Sequence, residues 1–182
     1  MKAASREALA SVEFKLDQFL ASDNAVASAA QAGLDLFEVV DVLDTDRELR
    51  VALTDAAVPA DTRKSLVQNL FGSKIAPIAA QVIEAAAAEQ WSSTRDLVKG
   101  LVSLGRRALL RGAEAQGQLG QVEDELFRLS SILKNEAELT QLLSDRTATS
   151  ARKRGLLASV LYGKVTMFSE ALALQAIGRP EQ

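Results

Sequence analysis

Residues 36–55 read LFEVVDVLDTDRELRVALTD, and residues 126–145 read LFRLSSILKNEAELTQLLSD. Written one above the other, they match at Leu36 and Leu126, Phe37 and Phe127, Leu43 and Leu133, and again at Glu48, Leu49, Leu53 and Asp55 with Glu138, Leu139, Leu143 and Asp145. The offset is 90 at every match. Helices rich in Leu and Ala resemble one another by chance, but chance explains the punctuation poorly. Thr45-x-x-Glu48 reads as a capping box, in which the Thr hydroxyl takes the third helical amide and the Glu reaches back; Asn135-x-x-Glu138 stands at the same offset. A repeat of this length outranks any single motif in deciding an architecture.

Working outward, Arg63-Lys64 and Arg152-Lys153 each precede a second landmark, Leu70-Phe71-Gly72 in one copy and Leu161-Tyr162-Gly163 in the other. Those triplets are 91 apart, which predicts one extra residue near Arg154-Gly155. The repeat divides the chain into a first helical bundle at residues 1–92 and a second, duplicated one at residues 93–182.

Each unit reads as helices. Leu9, Val12, Leu16 and Phe19/Leu20 recur at helical intervals, as do Leu36, Val39/Val40 and Leu43, and then Leu49 and Leu53. A fourth helix follows Val58-Pro59 and stops at Gly72-Ser73, with Pro suited to a first turn and Gly to a C-terminus. A fifth runs from about Ile75 to Gln90, and a long one opens at Ser93-x-x-Asp96 and carries Leu97, Leu101, Leu104 and Ala108. Short helices with one apolar face are stable only when packed together. The expectation is an all-α fold of two consecutive bundles, about five to six helices each, sharing a long connecting helix.

Composition agrees. The 182 residues are about one third Ala and Leu, 4% aromatic, with three Pro, no His and no Cys. Imidazole and thiolate chemistry, His/Cys zinc sites and disulfides are therefore excluded. No apolar run approaches the ~18 residues of a membrane span, and the opening residues do not read as a signal peptide, so a soluble cytosolic chain is expected, without direct membrane insertion. The net charge of −3 hides an asymmetry: residues 1–92 hold 8 basic and 14 acidic residues, and residues 93–182 hold 13 and 10.

Candidate sites are few. Neither G-x-x-x-x-G-K-[ST] nor G-x-G-x-x-G occurs, and Gly100, Gly105, Gly112, Gly117 and Gly120 suit close helix packing or bends. The acids Asp41, Asp44, Asp46, Glu48 and Glu123 to Glu125 suit helix starts and polar faces better than a paired-acid hydrolase. No catalytic residue, metal ligand or cofactor is expected. Arg106-Arg107 with Arg111, and Arg152-Lys153-Arg154, are basic clusters without the interleaved aromatics of a single-strand binder, so nucleic acid is not an expected partner. Trp91, the only Trp, is either a core plug between the bundles or an interface anchor. The small-residue run from Gln81 to Ala88 allows another helix to approach closely, an internal neighbour or a partner peptide.

The ordered set Leu36-Phe37 to Leu43, Glu48-Leu49 to Leu53, Val58-Pro59, Arg63-Lys64, Leu66 and Leu70-Phe71 resembles the N-terminal domain of the delta subunit of F-type ATP synthase, the oligomycin-sensitivity-conferring protein family. Ser5-Arg6-Glu7-Ala8-Leu9 resembles that family's first helix, without its usual aromatic, and the usual Gly-Arg after the fifth helix is missing at Gln90-Trp91. The second unit makes the likeness one to the extended, duplicated delta subunits of the actinobacterial type. The resemblance implies a non-catalytic peripheral-stalk (stator) adaptor that binds N-terminal helices of alpha subunits at the top of the catalytic head and resists rotation during proton-driven ATP synthesis. Carried over by position, the alpha-subunit groove is lined by Ala8, Leu9, Val12 and Leu16 with Val82, Ala85, Ala86 and Glu89. It further implies a peripheral place on the cytoplasmic side of the membrane, held there by the complex. The family's C-terminal domain, which holds the b-type stalk subunits, is not found before Gln182, so the resemblance predicts a truncated chain or an unusual member. The competing reading is a helical interaction scaffold unrelated to ATP synthase.

Overall fold

The computed structural model describes residues 1–21, 25–135 and 137–178. Every regular element among them is an α-helix: α1 (Ala3–Phe19), α2 (Ala25–Thr45), α3 (Arg47–Thr54), α4 (Ala60–Phe71), α5 (Pro77–Ala88), α6 (Thr94–Ala115), α7 (Leu119–Asn135), α8 (Ala137–Ser144), α9 (Ser150–Leu161) and α10 (Met167–Gly178). The expected all-α fold is observed. Among the described residues no helix is long and apolar enough to cross a membrane.

The chain forms two compact units, Met1–Gly112 and Ala113–Gln182. The sequence repeat turns at 92/93 and the compact bodies divide twenty residues later, for a physical reason. Leu97, Val98, Leu101, Val102, Leu104 and Ala108 of α6 bury into the same core as Val12, Leu36, Leu43 and Val67. In the first unit α5 is the hub, packed against α1, α2 and α4. Its run of Ala, Val and Ile is buried on nearly every side, as a helix that is apolar all round must be. Close approach by α6 depends on glycine: a Cβ on Gly105 would lie 2.5 Å from the Phe37 ring, and one on Gly33 would lie 2.7 Å from Leu109.

The second unit has a small core of Leu143, Leu157, Leu161 and Ala173, with Leu126, Leu129 and Leu133 beside it, and α10 packs against α7 and α9. The helix pairs α3 and α8, α4 and α9, and α5 and α10 have equal lengths and begin 90 residues apart. The extra residue expected near Arg154-Gly155 is not there. Phe71 corresponds to Leu161, and both are buried last residues of their helices. The Leu-Phe-Gly likeness was one residue out of register because both helix ends carry a Leu beside an aromatic.

Local hydrogen bonds recur at the same offset. Asp35 of α2 accepts the Ala76 amide ahead of α5 at 2.7 Å, and Glu125 of α7 accepts the Thr166 amide ahead of α10 at 2.9 Å. Each places a carboxylate against the positive end of the helix dipole. Asp55 and Asp145 close the same turn, accepting the amides of Ala57 and Thr147 at 2.9 and 2.8 Å. The Thr45 capping box does not form. The α2 helix runs through Thr45, whose hydroxyl donates to the Val42 carbonyl, and Asp46 caps α3 by accepting the Leu49 amide at 3.0 Å. At the matching place in the second copy, residue 136 and the Glu138 side chain lie outside the described residues. Ser93 caps α6 as expected, accepting the Asp96 amide at 3.1 Å.

Candidate interaction site

The eight residues assigned to a groove lie along the line where α1 meets α5. Val12, Leu16, Val82 and Ala86 have no solvent exposure, and Ala8 and Ala85 are buried. Leu9 and Glu89 are half-buried at its margins. The two helices therefore touch directly through these side chains, which form a sealed seam. Glu89 ties the seam on its outer side: it accepts from the Ser11 hydroxyl at 2.8 Å and lies 3.9 Å from Lys15 Nζ. At the other end Ser5, fully buried, accepts the Ser92 amide at 2.7 Å.

The feature missed from sequence is Phe14. It is 65% exposed on α1, off the stripe set by Ala8, Val12 and Leu16, and that departure was its readable signal. An off-stripe aromatic on a short amphipathic helix has no place in the core. On α5 the exposed or half-exposed side chains are Pro77, Ile78, Gln81, Glu84 and Ala88.

The C-terminal end of α5 is held by a knot of donors. Arg63, 5% exposed, donates from Nε to the Ala87 carbonyl at 2.6 Å and from Nη2 to Ala88 at 3.3 Å. Its Nη1 reaches the carbonyls of Asp55, at 3.0 Å, and Val58. Trp91 Nε1 donates to the Ala86 carbonyl at 2.8 Å. The Arg63 guanidinium thus satisfies two carbonyls that the helix end leaves without intrahelical partners, and Trp91 adds a second donor to the Ala86 carbonyl, which also accepts the Glu89 amide at 3.2 Å. The Trp91 ring packs against Gly100, where a Cβ would come within 2.7 Å of it. Of the two roles open to Trp91, it fills that of a plug, within the first unit.

One cluster of charge on this unit is satisfied internally. Arg107 grips Asp17 with two hydrogen bonds, 3.0 and 2.7 Å, and Arg111 adds a third at 3.3 Å. The Arg107 guanidinium hydrogen bond, helped by both charges, holds the Asp17 carboxyl below its ordinary value, and burial lowers Arg106. A depressed carboxylate stabilises the fold above its unfolded pKa and stops doing so as the pH falls through the folded one. Asp17→Asn should therefore cost at most about 1 kcal/mol at neutral pH for a pair this exposed. The gap between variant and parent, measured by urea unfolding, should close well below pH 3.8 and narrow in high salt. A gap that persists in acid would show that packing, not charge, joins α1 to α6.

Among the described residues no cluster of three or more acids stands ready to hold a metal ion. The acidic runs serve locally: Asp46 and Glu125 cap helices, and Asp124 pairs with Arg128 at 2.9 Å one turn away.

Comparison with known proteins adds three observations. A family model described as the ATP synthase delta (OSCP) subunit matches residues 107–174. The chain is 74% identical over 182 residues to the ATP synthase subunit delta of Corynebacterium aurimucosum, covering all of this chain and 67% of that protein. It is 62% identical over 181 residues to the ATP synthase subunit delta of Corynebacterium glutamicum strain R, and 60% identical over 183 residues to that of Corynebacterium diphtheriae, again spanning 67% of each.

Proposed function

We propose, from the premise that this chain belongs to the ATP synthase delta (OSCP) subunit family, that it is a stator adaptor whose first unit holds an alpha-subunit helix over the α1–α5 seam. Membership makes it a non-catalytic subunit of an F-type ATP synthase, concerned with ATP synthesis coupled to hydrogen ion transport. The unrelated-scaffold reading falls with it. The finer reading is a peripheral-stalk part at the top of the catalytic head, on the cytoplasmic side of the membrane, with b-type stalk subunits as further partners.

The observation that carries the docking surface is the pairing of a sealed seam with one exposed aromatic. Ala8, Leu9, Val12, Leu16, Val82, Ala85, Ala86 and Glu89 hold α1 and α5 together beneath the surface, and Phe14, on the outward side of α1, is an exposed aromatic anchor of the kind that dominates helix recognition. A stator must transmit torque without yielding, and the hydrogen-bonded knot at the end of α5 supplies that stiffness. Equal helix lengths and recurring carboxylate caps support reading residues 1–92 and 93–182 as duplicated copies, the second diverged in charge.

The test is titration calorimetry with a synthetic peptide of the alpha-subunit N-terminus. Binding should be saturable and should fall at least about tenfold in Phe14→Asp, a surface change that leaves the fold intact. Ala85→Glu, which forces a charge into the seam, should abolish it. No heat at high peptide concentration would sink the assignment.

A further inference from the structure

We propose that the corner between α8 and α9 is a second docking surface, which takes an acidic amphipathic segment of a partner protein. It is built from Leu142, Arg146, Arg152 and Lys153. A concavity of about 670 Å³, lined by Gln141, Leu142, Ser144 and Asp145, opens at this corner. Leu142 is 54% exposed there. Arg146 follows in the turn, and Arg152 and Lys153 lie in the first turns of α9, the two arginines exposed. Arg152 and Lys153 come near enough to Asp145 to help hold its carboxyl low, after the larger effect of the Thr147 hydrogen bonds.

These cations are badly placed for helix stability. Thr149 caps α9 and no acid occupies its first turn, so positive side chains face the positive end of the dipole, a loss of a few tenths of a kcal/mol or more each. Local choices that work against the fold mark positions kept for another purpose. The first unit acts as a control within the same molecule. At the matching positions it has Ala52, Ala56 and Thr62, and Arg63 there is buried and committed to carbonyls. The α4 helix also carries Asp61 in its first turn. An exposed leucine, a notch and three cations therefore stand at a corner that is neutral in the other copy.

The chemistry selects the occupant. A carboxylate fixed among the cations, beside a notch whose one apolar wall is Leu142, disfavours the unbroken negative charge of nucleic acid or a lipid surface. It suits a short segment offering several carboxylates and one apolar side chain. The probe is a synthetic helical peptide with Leu at every third or fourth position and Glu elsewhere, added to the isotopically labelled full chain and followed by amide resonances. Saturable shifts should be confined to residues 141–154 and weaken with salt. The double variant Arg146→Ser/Arg152→Ser should lose about tenfold in affinity, and Leu142→Ser several-fold, with unchanged circular dichroism. Substituting Ser for every Leu of the peptide should weaken binding too. Absent or scattered shifts, or equal binding by oligothymidylate or phosphatidylglycerol vesicles, would overturn the proposal.

Discussion

Arg63→Ala should destabilise the first unit by about 3 kcal/mol. The guanidinium is buried and its hydrogen bonds end on four carbonyls, those of Asp55, Val58, Ala87 and Ala88. Removing it leaves a cavity and strands acceptors at the negative end of α5, where a cation is favoured by the dipole. Its planar fork reaches carbonyls on two segments at once, so Arg63→Lys, a point charge on a flexible stem, should recover only part of the loss. Because Trp91 is the only tryptophan and lies at this knot, its fluorescence in a urea titration reads the first unit selectively. The midpoint should shift strongly in Arg63→Ala and little in Lys153→Ala, the matching position of the second unit. Equal shifts would mean that the buried guanidinium has no special role.

Trp91→Ala should cost about 4 kcal/mol, in the range of large core aromatics replaced by alanine. The ring is 8% exposed and its Nε1 donates to the Ala86 carbonyl, so the change removes packing and one of the two donors to that carbonyl, the Glu89 amide remaining. Gly100 is coupled to it. A methyl at Gly100 would sit 2.7 Å from the ring, so Gly100→Ala should destabilise the parent clearly and Trp91→Ala scarcely at all. A thermodynamic cycle over these two sites, followed by circular dichroism, should give a large non-additive term. Additive effects would show that the ring moves aside freely.

Much of this was legible beforehand. The helical character, the small-residue run of α5, the cap at Ser93 and the offset of 90 between matching residues all follow from local spacing, which a helix reads residue by residue. The capping residue of α3 was misplaced by one because Thr45 and Asp46 are both good caps, and only the length of α2 decides between them. The residues that the family resemblance assigns to a groove lie on inward faces of α1 and α5. Apolar periodicity marks the side of a helix that is buried, so it picks out Ala8, Val12 and Val82 and says nothing of the outward side, where Phe14 is exposed. The basic cluster at Arg107 and Arg111 looked available because its partner, Asp17, is 90 residues away in sequence.

The sequence by itself determined an all-helical chain, without His or Cys chemistry, with residue matches at an offset of 90. Those properties are local or compositional, and no tertiary contact changes them. Tertiary structure alone decided that α6 buries most of its apolar face in the first unit and that Trp91 plugs the α5–α6 corner. It also decided that Arg63 serves carbonyls on two segments, whereas the cations around Arg152 remain on the surface. Each is a meeting of residues far apart in the chain, and burial and hydrogen-bond satisfaction, which settle them, exist only once the helices have packed.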